Sequence, residues 1–145
     1  MISNPNDAPT PNRRSQPESF RARGLWASLT VKDVEKSLAW YLDVLGFTLD
    51  QRHEREGKLI AASVKAGSVR ILLGRDDGAK GWDRVKGEGI SLQIVTDANI
   101  DDVANRIKSK GGVLEMEPAD MPWGARVFRV RDPDGFKLAI SSDSR

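Results

Sequence analysis

The sequence predicts an α+β fold made of two βαβββ modules. One observation is a change of period: alternating apolar positions, typical of strands, give way to helical spacing and then to strands again. The other is that this whole order of patterns occurs twice, on either side of a Gly-rich charged segment. Because the repeat is internal, we expect the two modules to pack as a pair.

The first module is predicted over residues 24–75. Residues 25–31, LWASLTV, alternate apolar and other side chains, as a strand with two different faces does. Residues 32–47 change to helical spacing, with Asp33 as the N-cap and Gly46 as the stop. Three short strand-like runs complete the module, at about 47–54, 58–65 and 68–74.

The second module is predicted over residues 89–142, after a linker loop at 76–88 that is charged and rich in Gly. It begins with the strand pattern ISLQIVT. A helix follows, with Asn99 as its cap and Gly111 at its end. Three strand patterns complete it: VLEME, ARVFRVR and KLAIS.

Composition argues against several classes of function. The chain has no cysteine, which excludes disulfides and Cys-containing zinc sites. It has no apolar run of spanning length and no secretory pattern, so we expect a cytoplasmic protein without a membrane partner. The net charge of +2 lies entirely in the first 23 residues. The remaining body is neutral, which argues against nucleic acid as a partner.

Residues 1–23 form a segment rich in Pro, Asn and Ser with few apolar side chains. Such a composition buries too little surface to offset its ordering entropy, so we predict a disordered tail. An arm whose arginines dock on a partner subunit or on nucleic acid is the alternative.

Two stretches carry a family resemblance: LTVKDVEKSLAWYLDVLGF and PWGARVFRVRDPDGFKLAI. With the paired modules, they resemble the vicinal oxygen chelate superfamily, which includes glyoxalase I, extradiol dioxygenases, fosfomycin-resistance enzymes and bleomycin-resistance proteins. The resemblance covers residues 24–142. It implies that each module curls its mixed sheet and that two modules enclose a cup-shaped site. It also implies a homodimer, with modules paired within or between chains.

Metal-using members of this family take ligands from four strand positions: His or Gln, then Glu, in the first module, and His, then Glu, in the second. Carried over to this sequence, the positions fall on Trp26, Leu72, Ser91 and Ala139. Indole and hydrocarbon side chains offer no lone pair to a metal, and a Ser hydroxyl is a poor ligand. The comparison with the family therefore predicts no metal and no cofactor, as in the bleomycin-resistance branch.

Six residues are candidates for binding a small-molecule ligand. Trp surfaces suit stacking on a planar ligand, and Ser or Gln side chains can fix its orientation. Alternation turns Ser91 and Gln93 towards the cup, because Leu92 and Ile94 are expected to face the helix. The six candidates are Trp26, Ser28, Ser91, Gln93, Trp123 and Arg126.

Two of these candidates have a structural alternative. Trp123 would otherwise cover a sheet edge or a dimer contact. Either Arg126 or Arg129, which alternation places on opposite faces of their strand, would reach the site. Arg126 would either pair with an anionic ligand or form a structural ion pair with Asp132 or Asp134. The DPDG turn that holds both carboxylates is explained by backbone geometry, since Pro133 presets φ and Gly135 tolerates a positive φ.

The function that these observations predict is metal-free binding of a hydrophobic or aromatic small molecule, such as an antibiotic, by sequestration. The only histidine, His53, lies in a charged strand end and is predicted to be exposed rather than catalytic. Two alternatives stay open. One is a glyoxalase- or dioxygenase-type enzyme with an atypical metal site at Gln93 and Glu88. The other is a structural or regulatory module whose cup is filled by its own side chains.

Overall fold

The computed structural model describes residues 20–143 and shows two four-stranded mixed sheets with two helices. The first module contains β1 (Ala27–Val31), α1 (Val34–Ala39, continued by a π-helical stretch at Trp40–Leu45), β2 (Thr48–Arg55), β3 (Lys58–Ala66) and β4 (Val69–Arg75). The second contains β5 (Ser91–Val95), α2 (Ile100–Ser109), β6 (Leu114–Asp120), β7 (Arg126–Arg131) and β8 (Lys137–Ser141).

The two sheets have the same topology. Their strand orders are β1-β4-β3-β2 and β5-β8-β7-β6, and neither sheet is closed. In each, the first strand lies parallel to the last, and the remaining pairs are antiparallel. The predicted α+β class and internal repeat are confirmed. Residues 76–90 contain no helix or strand, whereas the division of the chain at the 76–88 linker stays a prediction. The tail predicted at 1–23 lies mostly outside the described residues.

The helix ends follow the predicted caps. The Asp33 side chain accepts a hydrogen bond from the Lys36 N–H at the start of α1, and Asn99 accepts one from the Asp102 N–H at the start of α2. The end of α1 widens into a π-helical stretch that closes at Gly46, whose φ is 94°. Because this widening leaves the apolar spacing almost unchanged, the sequence pattern did not reveal it.

One hydrophobic core lies on the helix sides of both sheets. It includes Tyr41 of α1, Ile107 of α2 and Phe128 of β7, all fully buried. Arg106 adds a polar link between the helices by donating to the Val44 carbonyl over 3.0 Å. Since both modules contribute their helix sides to this core, each sheet keeps its opposite face open.

The DPDG turn is fixed to the first module by a buried hydrogen bond. The Asp132 side chain accepts from Tyr41 Oη over 2.7 Å and from the backbone N–H groups of Asp134 and Phe136. Burial raises the pKa of the Asp132 carboxyl above its usual range, and it raises the pKa of Tyr41 as well. The positive φ of 97° at Gly135 completes the turn, so its residues have the structural role that the sequence indicates.

The linker is held by one buried cation. Lys86 Nζ lies 2.8 Å from Asp76 Oδ2 and 3.3 Å from Asp134 Oδ2, and it donates to the Thr30 carbonyl over 3.1 Å. These contacts join the linker to both modules. None of the helices in residues 20–143 is long and apolar enough to cross a membrane.

Candidate functional site

The candidate site lies on the open face of the second sheet. On β5, Ser91 and Gln93 are exposed, whereas Leu92 and Ile94 pack against the core. The strand therefore has the orientation that its alternation predicts. Next to it is a cavity of about 490 Å³, bordered by Ser91 and by residues of β7 and β8.

Two rows of paired residues cross this face. They are Gln93–Ala139–Arg129 and Ser91–Lys137–Arg131, running from β5 across β8 to β7. Neighbouring strands are about 4.8 Å apart, so the outer members of a row are about 10 Å apart at the backbone. Ala139 adds only a methyl group between Gln93 and Arg129. It therefore forms a low floor in the cavity, flanked by an amide and a guanidinium.

A small buried apolar cluster lies next to this floor. Ala139 packs with Ala125 and Val127 in a buried cluster, against which Met116 and Met121 also pack. This cluster lies on the open side of the sheet and is separate from the main core. Ala139 is the member of this cluster that borders the cavity, and the others pack behind it.

The open face of the first sheet carries Trp26 and Ser28. Trp26 is 65% exposed, and the Arg70 guanidinium carbon lies 4.8 Å from the centroid of its ring. Arg70 Nε is in turn 3.5 Å from Asp50 Oδ2, which accepts a hydrogen bond from Ser63 Oγ over 2.9 Å. These contacts hold the indole under a cation and leave its other face accessible.

Arg70 and Asp50 were missed in the sequence. Asp50 lies in β2 where the pairing register shifts between Leu49 and Gln51, so simple alternation does not assign its face. Arg70 alternates with Ile71 and Leu73, which are buried, and that spacing would have placed it on the open face.

The structure separates the six candidates into groups. Trp26 borders a cavity of about 420 Å³ formed by residues 23–26, whereas Ser91 borders the cavity of the second sheet. Gln93 lies two residues after Ser91 on β5. Ser28 lies on β1, two residues after Trp26, which directly precedes that strand. Trp123 is exposed in the turn between β6 and β7.

The expected ion-pair partners of Arg126 require a correction. Its guanidinium forms ion pairs with Asp101 over 3.1 Å and with Asp120 over 3.0 Å, and these hydrogen bonds raise its pKa. The expected structural partners, Asp132 and Asp134, are therefore wrong, because the first turn of α2 and the end of β6 bring other carboxylates closer. Arg126 lies on the helix side of β7, and the residues of this strand on the open face are Arg129 and Arg131.

The four positions at which this fold would place metal ligands do not fit a divalent ion. They hold an indole, two hydrocarbon side chains and one hydroxyl, at Trp26, Leu72, Ala139 and Ser91. Between residues 20 and 143, no group of three or more His, Cys, Asp or Glu side chains is placed to hold a metal. His53 lies exposed in β2.

The paired βαβββ modules, the capped helices and the open sheet faces define a class of two-module α+β proteins. The chain belongs to the Glyoxalase/Bleomycin resistance protein/Dioxygenase superfamily, whose family model matches residues 24–140. This confirms the family resemblance of the sequence.

Relatives in sequence and in structure carry different descriptions. A probable lactoylglutathione lyase of Synechocystis sp. is 32% identical over 127 residues, covering 83% of this chain and 95% of the relative. A lactoylglutathione lyase of Neisseria meningitidis is 33% identical over 122 residues, covering 80% and 87%. The structure of TnmS3, an antibiotic binding protein from Streptomyces sp. CB03234, aligns with a TM-score of 0.66 at 23% identity, covering 88% of this chain and all of the other.

Proposed function

We propose that this protein binds a hydrophobic or aromatic small molecule without a metal ion and sequesters it in the cytoplasm. The observation that carries the proposal is the set of side chains at the four family ligand positions, none of which suits a divalent ion. The structural similarity to an antibiotic binding protein supports the same role. An antibiotic is the ligand class that this similarity favours.

The proposal includes a homodimer. Within one chain, Trp26 and Ser91 border different cavities. Two chains would complete a cup if the open first sheet of one faced the open second sheet of its partner. Large apolar side chains are exposed on or beside the edge strands β1 and β5: Trp26, Ile90 and Val95.

Light scattering tests the dimer. We expect a mass about twice the 16.0 kDa of the chain and a monomer for Val95→Glu, because Val95 is 51% exposed on the edge strand β5 and a carboxylate there opposes burial. Val113→Glu is the matched control, since Val113 is 82% exposed outside the strands. A monomeric wild type, or equal effects of the two substitutions, would contradict the dimer.

Tryptophan fluorescence tests ligand binding. Aromatic natural products, bleomycin among them, are titrated into protein treated with a chelator. At least one is expected to quench the emission saturably, and Trp26→Phe is expected to remove most of that quenching, because Trp26 is exposed on the open face. Trp40→Phe is the control, since Trp40 packs against the core on α1. Absence of saturable quenching across the panel counts against the proposal.

A lyase is the second candidate, and the sequence relatives favour it, since they are described as lactoylglutathione lyases at about 30% identity. It would require a metal site assembled from residues outside the family positions, such as Gln93 and Glu88. Formation of S-lactoylglutathione from methylglyoxal and glutathione, the reverse of the lyase cleavage, in the presence of added divalent ions is the assay that separates it from sequestration.

A further inference from the structure

The geometry points to an anionic group on the ligand, held by Arg129 and Lys137 above the Ala139 floor. This inference rests on the proposed function and names the ligand class: an aromatic or hydrophobic molecule that carries a carboxylate, sulfonate or phosphate. Arg126, whose guanidinium is paired with Asp101 and Asp120, has no part in it.

The cavity on the second sheet has an excess of positive charge. Three cationic side chains border it, from Arg129, Arg131 and Lys137, against the single carboxylate of Glu115. Residues 24–145 as a whole are neutral, so this excess is local. A cleft with one sign of charge raises the local concentration of ligands of the opposite sign.

The three cations of this cavity differ in whether they form an ion pair. The Arg131 guanidinium is engaged by the Glu115 carboxylate. Within residues 20–143, neither Arg129 nor Lys137 has an ion-pair partner, although most other arginines of the sheets do. Both unpaired cations therefore have hydrogen-bond donors available for an incoming anion.

Arg129 and Lys137 also lie close to each other on the β7–β8 ladder. Arg129 and Lys137 are each paired in register with a neighbour on the other strand of the β7–β8 ladder, Arg129 with Ala139 and Lys137 with Arg131. The two cations thus lie on adjacent rows, with Arg129 across the ladder from Ala139 and Lys137 two residues before Ala139 on β8. Gln93 faces Arg129 across the same floor, and its amide can donate a further hydrogen bond to the anion.

The surroundings also specify the rest of the ligand. Ile90 is 57% exposed and borders the same cavity as Ala139. A molecule with its anionic group at Arg129 would place its rings against Ile90 and the Ala139 methyl group. The site thus favours an amphipathic ligand over a neutral or cationic one.

Two fluorescent dyes test the ligand class. Anilinonaphthalene sulfonate carries a sulfonate, and N-phenylnaphthylamine has the same ring system without it. We expect wild-type protein to bind the sulfonate dye about tenfold more tightly, which corresponds to about 1.4 kcal/mol. Added salt should weaken binding of the sulfonate dye and leave binding of the neutral dye unchanged, because salt screens only the attraction between opposite charges.

Substitutions locate the anion. Arg129→Gln and Lys137→Gln are each expected to raise the Kd of the sulfonate dye about fivefold to tenfold and to leave that of the neutral dye unchanged, while Arg129→Lys retains part of the preference. Arg126→Gln is the matched control, because Arg126 lies on the same strand with its side chain on the opposite face. Folding of each variant is checked by its urea midpoint.

Loss of the preference in Arg129→Gln and Lys137→Gln, with Arg126→Gln unchanged, supports the inference. Equal binding of the two dyes by wild-type protein, or an equal effect of Arg126→Gln, overturns it and leaves the proposed binding function standing. Failure to bind either dye counts against both.

Discussion

Replacement of Asp132 by alanine is expected to lower the free energy of unfolding by about 3 kcal/mol. Asp132 is 5% exposed and accepts hydrogen bonds from Tyr41 Oη and from two backbone N–H groups of its own turn. Alanine would leave all three donors without that acceptor in a buried place. It would also release the turn that joins the second module to α1.

Asparagine at the same position has nearly the shape of aspartate but cannot carry its negative charge, so it tests the two contributions separately. Asp132→Asn keeps an acceptor for the backbone N–H groups, so its cost in urea unfolding is expected to be smaller than that of Asp132→Ala. A cost of Asp132→Ala below about 1 kcal/mol would contradict the buried hydrogen bonds.

The stability of wild-type protein relative to Asp132→Asn is expected to depend on pH, with a definite sign. Burial raises the pKa of Asp132 in the folded protein above its ordinary value of 3.8, so the folded state keeps a proton that the unfolded state has lost. The stabilisation that comes from this bound proton is complete below the ordinary pKa, and it is lost as pH rises through the pKa of Asp132 in the folded protein. The stability of wild type relative to Asp132→Asn is therefore expected to fall over that interval, and a rise would be contradictory.

Alanine at Gly112 is expected to destabilise the protein by about 2 kcal/mol. Gly112 follows α2 and lies against both helices, so an added Cβ would be 2.5 Å from Ile107 Cγ2 and 2.8 Å from Val44 Cγ1. The neighbouring backbone is fixed as well, since the Gly112 N–H donates to the Ile107 carbonyl. The contact between the modules would have to open to admit the methyl group.

Gly74→Ala is the matched control for this substitution. Gly74 has no heavy atom within 4 Å of the position of an added Cβ, and its φ is not positive. Its replacement is expected to change the urea midpoint little or to raise it, because alanine reduces the freedom of the unfolded chain. Equal losses at the two glycines would show that the packing around Gly112 is not the cause.

Local patterns in the sequence predict most of this fold. Asp33 and Asn99 mark the starts of the two helices, and Gly46 ends the first, because capping and positive φ are properties of single residues. The alternation of β5 places Ser91 and Gln93 on the open face for a similar reason. The repeated order of elements then indicates the paired modules.

The site is less accessible to such reasoning, because it depends on contacts between distant strands. Arg126, Arg129 and Arg131 are equivalent by type, and the carboxylates of Asp101, Asp120 and Glu115 decide which of them is engaged. Those pairings follow from register and from the end of a helix, neither of which alternation specifies.

Ligand binding by this protein is expected to need no metal ion, and a calorimetric titration with and without metal distinguishes the two cases. The ligand with the strongest tryptophan quenching is titrated calorimetrically into chelator-treated protein, then into protein supplied with equimolar Zn²⁺ or Ni²⁺, and each sample is assayed for formation of S-lactoylglutathione from methylglyoxal and glutathione. We predict the same Kd in all samples and no S-lactoylglutathione above the uncatalysed rate, because the four family ligand positions hold no suitable side chain. A stoichiometric metal ion that is required for ligand binding, or that supports this reaction, would contradict metal-free binding.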